Sequence, residues 1–267
     1  MKKILLLLSV FAFSFFFSQL PKTFTVGGIP RKAILFEPSV KTAKTPVIFV
    51  FHGHGGNAQF ASKKIDFQNY DKEALVVFME GIPGTSGYVV DKKGLLNGWQ
   101  MFPNDHGNRD VLFFDEVLKD LSKNYNIDAS RIYVVGHSNG ARFVNVLWVE
   151  RPDQIAAICS VAAQGGRMIK GAQPLSVWMS MGKNDPVVPY RMQKQSISIV
   201  SDNLKIDPKS ALIKGDKTFY TGTNHTELVI EERNTGHEFP HESIPEMVEF
   251  FKRQKKDEYG SKKEKKS

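Results

Sequence analysis

The chain has 267 residues, of which 41% are hydrophobic and one is a cysteine, and its formal net charge is +8. This length and composition fit one globular domain of medium size and exclude a largely disordered protein or a disulfide-rich scaffold. Eight basic and three acidic residues from position 252 onward carry most of the net charge. Because this tail mixes lysine with acidic residues, it predicts a solvated extension and argues against a nucleic-acid partner.

The N-terminus begins with Met1 and two lysines and continues as an apolar run over positions 4–17. This layout is typical of a secretory signal peptide, and the run is short for a transmembrane helix. We therefore expect a signal peptide at 1–18 and a secreted or periplasmic protein with no membrane span after cleavage. An uncleaved anchor is the alternative. A catalytic domain over 19–252 and a basic, disordered tail over 253–267 complete the predicted organisation.

The elements that follow the leader alternate between strands and helices. Positions 23–27 and 32–36 predict an antiparallel hairpin, because a Gly-Gly-Ile-Pro turn joins them. Apolar runs without alternation at 46–51, 74–78, 132–135, 155–161 and 175–181 predict strands covered on both faces. Apolar steps of three and four residues predict helices between 111 and 125, over 138–150 and from 244 to 251. The fold class is therefore α/β, with a mostly parallel, doubly wound sheet and an antiparallel N-terminal hairpin.

Ser138 lies in the sequence Gly-His-Ser-Asn-Gly, directly after one of these strands and before a helix. The G-x-S-x-G spacing in a strand-turn-helix context is typical of the nucleophile elbow of α/β-hydrolases. A glycine-rich turn with an N-capping serine is the alternative. Cys159, in the run 155–161, is a weaker candidate nucleophile, because a buried small hydrophobe explains it better.

A glycine-rich loop follows the strand 46–51 and includes His52 and His54. A loop at this place is expected to supply a backbone N–H to an oxyanion hole, and we assign that donor to His54. The second donor is the N–H of Asn139, directly after the serine. A metal site at the two histidines is the alternative, but no nearby carboxylate or third histidine completes a ligand set.

The acid and the base are expected after the nucleophile in the chain. Asp185 follows the strand 175–181 and is the predicted acid, with a turn aspartate before proline as the alternative. Of the downstream histidines, His237 occupies the last loop before the terminal helix and is the predicted base. His225 is expected in a hairpin turn and His241 at a helix start.

The segment 81–109 is long, rich in glycine and contains Trp99 and Phe102. Long loops with aromatic residues often cover a pocket, so both residues are predicted to bind substrate. A loop that packs on its own aromatic residues is the alternative.

The loop 52–56, the elbow around Ser138, the run 182–190 and the loop 236–240 together resemble the poly(3-hydroxybutyrate) depolymerases and feruloyl esterases, which are related to carbohydrate esterase family 1. The resemblance spans roughly 45–251. It implies an α/β-hydrolase fold with Ser138, Asp185 and His237 as the catalytic triad.

We expect a secreted serine esterase that hydrolyses feruloyl, acetyl or short hydroxyalkanoate esters through an acyl-enzyme on Ser138. The expected partner is a small or polymer-attached ester, and the reaction requires no metal or organic cofactor. A serine peptidase on the same fold and a catalytically silent carbohydrate-binding protein are the alternatives.

Overall fold

The computed structural model describes residues 19–84 and 91–256. The predicted signal peptide and positions 257–267 of the predicted tail lie outside the described residues, as do positions 85–90 of the long loop. The strands, in chain order, are β1 Gln19–Val26, β2 Ile29–Phe36, β3 Thr45–Phe51, β4 Leu75–Met79, β5 Ile82–Pro83, β6 Asn97–Gly98, β7 Ile127–His137, β8 Ala157–Val161, β9 Ser176–Gly182, β10 Leu212–Lys214, β11 Lys217–Thr221 and β12 Glu227–Arg233. The α-helices are α1 Ala58–Lys64, α2 Arg109–Asn124, α3 Asn139–Glu150, α4 Tyr190–Leu204 and α5 Ile244–Lys252.

One large sheet organises the described part of the chain, with the strand order β1-β2-β4-β3-β7-β8-β9-β12-β11-β10. The strands from β4 to β12 in that order run parallel, whereas β1 and β2 at one edge and β10 and β11 at the other are antiparallel. The predicted N-terminal hairpin and the predicted parallel sheet are both confirmed. The loops after β3, β7, β9 and β12 therefore emerge at one edge of the sheet, where open α/β sheets place their sites.

Helices cover both faces of the sheet and bury two apolar cores. On one face, Phe114 of α2, Phe143 of α3 and Val200 of α4 pack against the central strands. On the other face, Ala58 of α1 and Met247 of α5 do so. Burial on both faces explains why the strand sequences are continuously apolar rather than alternating.

The C-terminal boundary of the domain lies beyond Lys252. Gln254 is buried, its side chain accepts a hydrogen bond from the Ser176 hydroxyl at 2.8 Å, and its carbonyl accepts one from Tyr133 at 2.9 Å. The tail that the sequence placed at 253–267 therefore cannot begin before position 255, because Gln254 belongs to the packed domain. In the two described ranges, none of the helices combines the length and the hydropathy needed to cross a bilayer.

Candidate active site

A sharp turn joins β7 to α3 and carries Ser138. The backbone of Ser138 has a φ of 55°, a positive value that residues other than glycine rarely adopt. A Cβ atom on Gly140 would lie 2.5 Å from the carbonyl oxygen of His52, and one on Gly136 would lie 2.6 Å from the nitrogen of Ala141. Close packing of backbone against backbone thus requires both glycines. The same packing holds the serine in its strained conformation.

Ser138, His237 and Asp185 come from the loops after β7, β12 and β9 and form one hydrogen-bonded chain. His237 Nε2 lies 2.7 Å from Ser138 Oγ, and His237 Nδ1 lies 2.7 Å from Asp185 Oδ2. A proton on Nδ1 donates to the carboxylate and leaves Nε2 as an acceptor for the serine hydroxyl. The structure brings together the three residues that the sequence selected, in the order needed for proton transfer.

The carboxylate of Asp185 is held from both sides. Its Oδ1 accepts the N–H groups of Val187 and Val188, each at 2.8 Å, and its Oδ2 accepts Gln193 Nε2 at 2.9 Å as well as His237. Burial raises the pKa of Asp185, but the hydrogen bonds from His237 and the two amides outweigh it, so the pKa lies below its usual value. Asp185 is therefore ionised at neutral pH and oriented toward the imidazole.

The two predicted oxyanion donors lie on either side of Ser138. A Cβ atom on Gly53 would be 3.5 Å from the Cβ of Ser138, so the backbone leading into His54 passes directly beside the serine. Asn139 is the first residue of α3, where N–H groups lack partners within the helix and the helix dipole favours an anion. Their role as an oxyanion hole remains a prediction, and their placement is compatible with it.

His52 fixes the start of this loop and is a neutral imidazole. Its Nδ1 lies 2.7 Å from the carbonyl oxygen of Gly53, and its Nε2 accepts the N–H of Gly81 at 3.0 Å. These two bonds require the proton on Nδ1. Burial lowers the pKa of His52 to about 4. In the described ranges no group of three or more His, Cys, Asp or Glu side chains is arranged to hold a metal ion.

Two further histidines border Ser138. Burial, with a smaller effect from His237, lowers the pKa of His137 to about 4. Burial also lowers the pKa of His54, against the opposing charge of Asp91. Both ring nitrogens of His54 and Nε2 of His137 have no hydrogen-bond partner among the described residues. These imidazoles are neutral near pH 7 and do not form the proton relay.

Trp99 does not lie over the pocket, so the predicted placement of this residue is wrong. Its side chain is 0% exposed and stacks on Phe143, with ring centroids 5.4 Å apart and planes 11° from parallel. Its indole N–H donates to the carbonyl oxygen of His52 at 2.9 Å. The physical reason is that the loop turns inward after Gly98 and buries the large ring between the sheet and α3. The alternative of a loop that packs on aromatic residues is closer to the structure, although the partners come from β3 and α3.

Phe102 is half-buried beside the guanidinium of Arg142, which lies 4.8 Å from the ring centroid. Met101, its neighbour, is the residue of this segment that lines a cleft next to Ser138. Phe102 is not among the residues that line this cleft, and its role in substrate binding stays a prediction. His225 and His241 are not brought to Ser138: the first lies in the turn before β12, and Nε2 of the second lies 2.6 Å from Asp66 Oδ1.

Two clefts meet at Ser138. The histidine cleft, about 600 Å³, is lined by His54, His137 and His237 together with Gly53, Phe60 and Val187. The methionine cleft, about 650 Å³, is lined by Met101 and Met192 together with Asn139, Arg142, Val187 and Val188. Both volumes are in the range of small-molecule sites. Val187 stands at the border between them.

The sheet order and the sharp turn after β7 are those of the α/β-hydrolase fold. A solved structure with the same fold is that of an acetyl xylan esterase from Aspergillus awamori, which superposes with a TM-score of 0.63 at 14% identity and covers 87% of this chain and 99% of that one. No protein-family model matches the chain.

Among curated proteins, the chain is similar to feruloyl esterase D of Neurospora crassa, with 26% identity over 180 residues. It is also similar to a bifunctional acetylxylan esterase/xylanase of Neocallimastix patriciarum, with 24% identity over 168 residues. The matches cover 65% and 61% of this chain but only 59% and 23% of the two relatives. The predicted resemblance to esterases of the α/β-hydrolase class is confirmed.

Proposed function

We propose that the chain is a serine esterase in which Ser138 is the nucleophile, His237 the general base and Asp185 the orienting acid. The single observation that carries this proposal is the chain of two 2.7 Å hydrogen bonds from Ser138 Oγ through His237 to Asp185. This chain begins on a strained elbow at the end of a strand, which is where nucleophiles of this fold stand. The relatives with esterase names support the same reaction class.

The reaction proceeds by acyl transfer in two steps. Ser138 Oγ attacks the ester carbonyl carbon while His237 Nε2 takes the hydroxyl proton, and the N–H groups of His54 and Asn139 stabilise the oxyanion. His237 then gives the proton to the leaving alcohol oxygen, which leaves an acyl group on Ser138. A water molecule hydrolyses the acyl-enzyme by the same route. The chain's own residues supply every step, so the proposal invokes no cofactor.

The two clefts assign the two halves of the ester. The leaving oxygen must approach His237, and His237 lines the histidine cleft but not the methionine cleft. The alcohol therefore occupies the histidine cleft, and the acyl group extends into the methionine cleft. The latter is apolar along Met101, Met192 and Val188 and has more room than an acetyl group fills. We infer a preference for larger apolar acyl groups, and the feruloyl group named in one relative belongs to that class.

Export is a separate proposal, supported by the lysines and the apolar run at positions 2–17. Expression of the full chain in a bacterial host, followed by mass measurement of the mature protein, tests it. A product shortened by about the length of a signal peptide and recovered outside the cytoplasm supports export, and an intact cytoplasmic product contradicts it.

The activity is tested with a fluorophosphonate probe and a substrate panel. Wild-type protein is expected to be labelled on Ser138 and to hydrolyse p-nitrophenyl acetate and methyl ferulate. Its kcat/KM should be higher for methyl ferulate than for methyl acetate, which has the same leaving alcohol. Ser138→Ala and His237→Ala are expected to be similarly inactive, and the double variant scarcely worse, because the triad acts as a unit. Hydrolysis of a peptide anilide but not of the esters would favour a peptidase. A folded protein without labelling or turnover would favour a binding protein.

A further inference from the structure

We propose that Trp99 is a positioning residue that ties together the two loops carrying the oxyanion donors. This inference rests on the proposed esterase function and assigns a task to a residue outside the triad. The N–H groups of His54 and Asn139 belong to different loops, one after β3 and one at the start of α3. Stabilisation of an oxyanion requires both donors to lie about 2.7–3.1 Å from one point. Contacts between the two loops must therefore fix the distance between the two N–H groups.

The first connection is from Asn139 to the backbone of Trp99. Asn139 Oδ1 accepts the N–H of Trp99 at 2.8 Å, and Asn139 Nδ2 donates to the carbonyl oxygen of Trp99 at 3.1 Å. Both functional groups of one side-chain amide are thus used on one residue. The backbone N–H of Asn139 is a proposed oxyanion donor, so the donor and the clamp belong to the same residue.

The second connection is from Trp99 to the loop after β3. The indole Nε1–H donates to the carbonyl oxygen of His52 at 2.9 Å. His52 is two residues before His54, and its own side chain is fixed by Gly53 and Gly81. We call this arrangement, in which Asn139 holds Trp99 and Trp99 holds His52, the Trp99 clamp.

Ring packing joins the same two elements. The indole stacks on Phe143, which lies one turn after Asn139 in α3, and meets Phe51 edge-on at 5.2 Å between ring centroids. Phe51 directly precedes His52. The hydrogen bonds and the ring contacts therefore act in parallel, and a displacement of α3 from β3 would break both.

The chain just after Trp99 is anchored from below. The N–H of Gln100 donates to Asp110 Oδ2 at 2.7 Å, and Asp110 Oδ1 pairs with Arg31 at 2.7 Å in a fully buried ion pair. The side chain of Gln100 in turn accepts the N–H of Asp110 at 3.1 Å. These bonds fix the position of Trp99 in the domain. The Trp99 clamp can therefore determine the distance between the two loops that carry the oxyanion donors.

The test measures kcat per active site in Trp99→Phe, which keeps an aromatic ring but removes the indole donor. The matched control is Trp148→Phe: Trp148 is equally buried, lies at the far end of α3 and donates to the carbonyl oxygen of Gln173 at 2.8 Å. Active sites are counted by titration with a fluorophosphonate. Partial unfolding then lowers the number of sites and not the turnover of each.

For p-nitrophenyl acetate we expect Trp99→Phe to lower kcat per site by about 10- to 100-fold, with KM within about twofold of wild type, because misplacement of a donor weakens binding of the transition state only. Trp148→Phe should leave kcat per site within about twofold. Asn139→Ala should resemble Trp99→Phe, and the double variant should be no slower than the slower single variant, because both substitutions open one clamp.

Equal kcat per site in Trp99→Phe and wild type would overturn the proposal and leave Trp99 as an ordinary core residue. If the fold-losses in kcat per site of the two single variants multiply in the double variant, the two residues act independently and the proposal of one shared clamp is overturned. If Trp99→Phe does not fold, Asn139→Ala alone decides: unchanged turnover per site overturns the clamp. Wild-type protein without labelling or ester turnover would instead reject the proposed esterase function, and the clamp with it, so the two failures are distinguishable.

Discussion

Replacement of Asp185 by asparagine is expected to remove most ester turnover while leaving the fold intact. The amide oxygen of asparagine can still accept the N–H groups of Val187 and Val188, so the turn is retained. The amide nitrogen would then face His237 Nδ1 and Gln193 Nε2, which are both donors in the wild-type protein. His237 must move its proton to Nε2 to accept from the new amide. That tautomer cannot take the proton of Ser138.

The wrong tautomer should lower kcat by up to about 10⁴, which corresponds to about 5.5 kcal/mol of transition-state stabilisation. The assay is hydrolysis of p-nitrophenyl acetate per titrated site, together with the melting temperature. Asp71→Asn is the matched control, because Asp71 is buried and its Oδ1 also accepts the N–H groups two and three residues later, at 3.0 and 3.1 Å. The control should keep full turnover. Retention of more than about a tenth of wild-type kcat in Asp185→Asn would refute Asp185 as the orienting acid.

Three further predictions concern stability. Gly140→Ala should lower the melting temperature by roughly 5–10 °C, because its Cβ would press on the backbone of His52 and overpacking costs about 1–3 kcal/mol or more; an unchanged melting curve would contradict the required close approach. Burial lowers the pKa values of His52 and His137 to about 4, so below pH 6.5 these histidines bind protons in the unfolded chain but stay neutral in the folded chain. Urea unfolding should therefore show that the free energy of unfolding falls by about 2 kcal/mol per histidine from pH 7 to pH 5. A free energy of unfolding that does not change over this range would refute the burial of the two histidines as neutral groups. Asp110→Ala leaves the buried guanidinium of Arg31 without its carboxylate partner and should lower the free energy of unfolding by about 3–5 kcal/mol, measured by chemical denaturation. A decrease below about 1 kcal/mol would mean that the pair contributes no more than a salt bridge on the protein surface.

The fold and the core of the candidate site were accessible from the sequence because their signals are local. Uninterrupted apolar runs identify parallel strands, since only burial on both faces removes the alternation. Gly136 is required by contacts with Gly140 and Ala141 within the turn, and although Gly140 is required by the distant backbone of His52, the G-x-S-x-G spacing marks both glycines. Asp185 and His237 could be placed because each follows a strand in the order that this fold imposes.

The residues that hold these groups in place could not be predicted in the same way. Helix α4 buries Gln193, Ser196, Val200 and Leu204, and the first two are polar, so its apolar periodicity is weak. Gln193 is buried because it bonds Asp185 and the carbonyl oxygen of Val188, a contact that only the folded structure reveals. Spacing by three and four residues along this face is the signal that a search for polar as well as apolar repeats would find.

Trp99 shows the same limit in its strongest form. Glycine-rich surroundings favour an exposed loop, but the residues that bind the indole and the backbone of Trp99 lie 47 residues before it and 40 residues after it. The sequence around Asn139 does not indicate whether its side chain forms hydrogen bonds with solvent or with a backbone that is distant in sequence. It follows that the motifs in such a chain establish which chemistry is available, whereas the rate depends on pairs such as positions 99 and 139. A change at position 139 removes the partner of the backbone N–H and carbonyl of Trp99, and a change at position 99 removes the indole donor to the carbonyl oxygen of His52. These two positions should therefore be varied together in any attempt to transfer or to tune the activity, since both contribute to the same clamp.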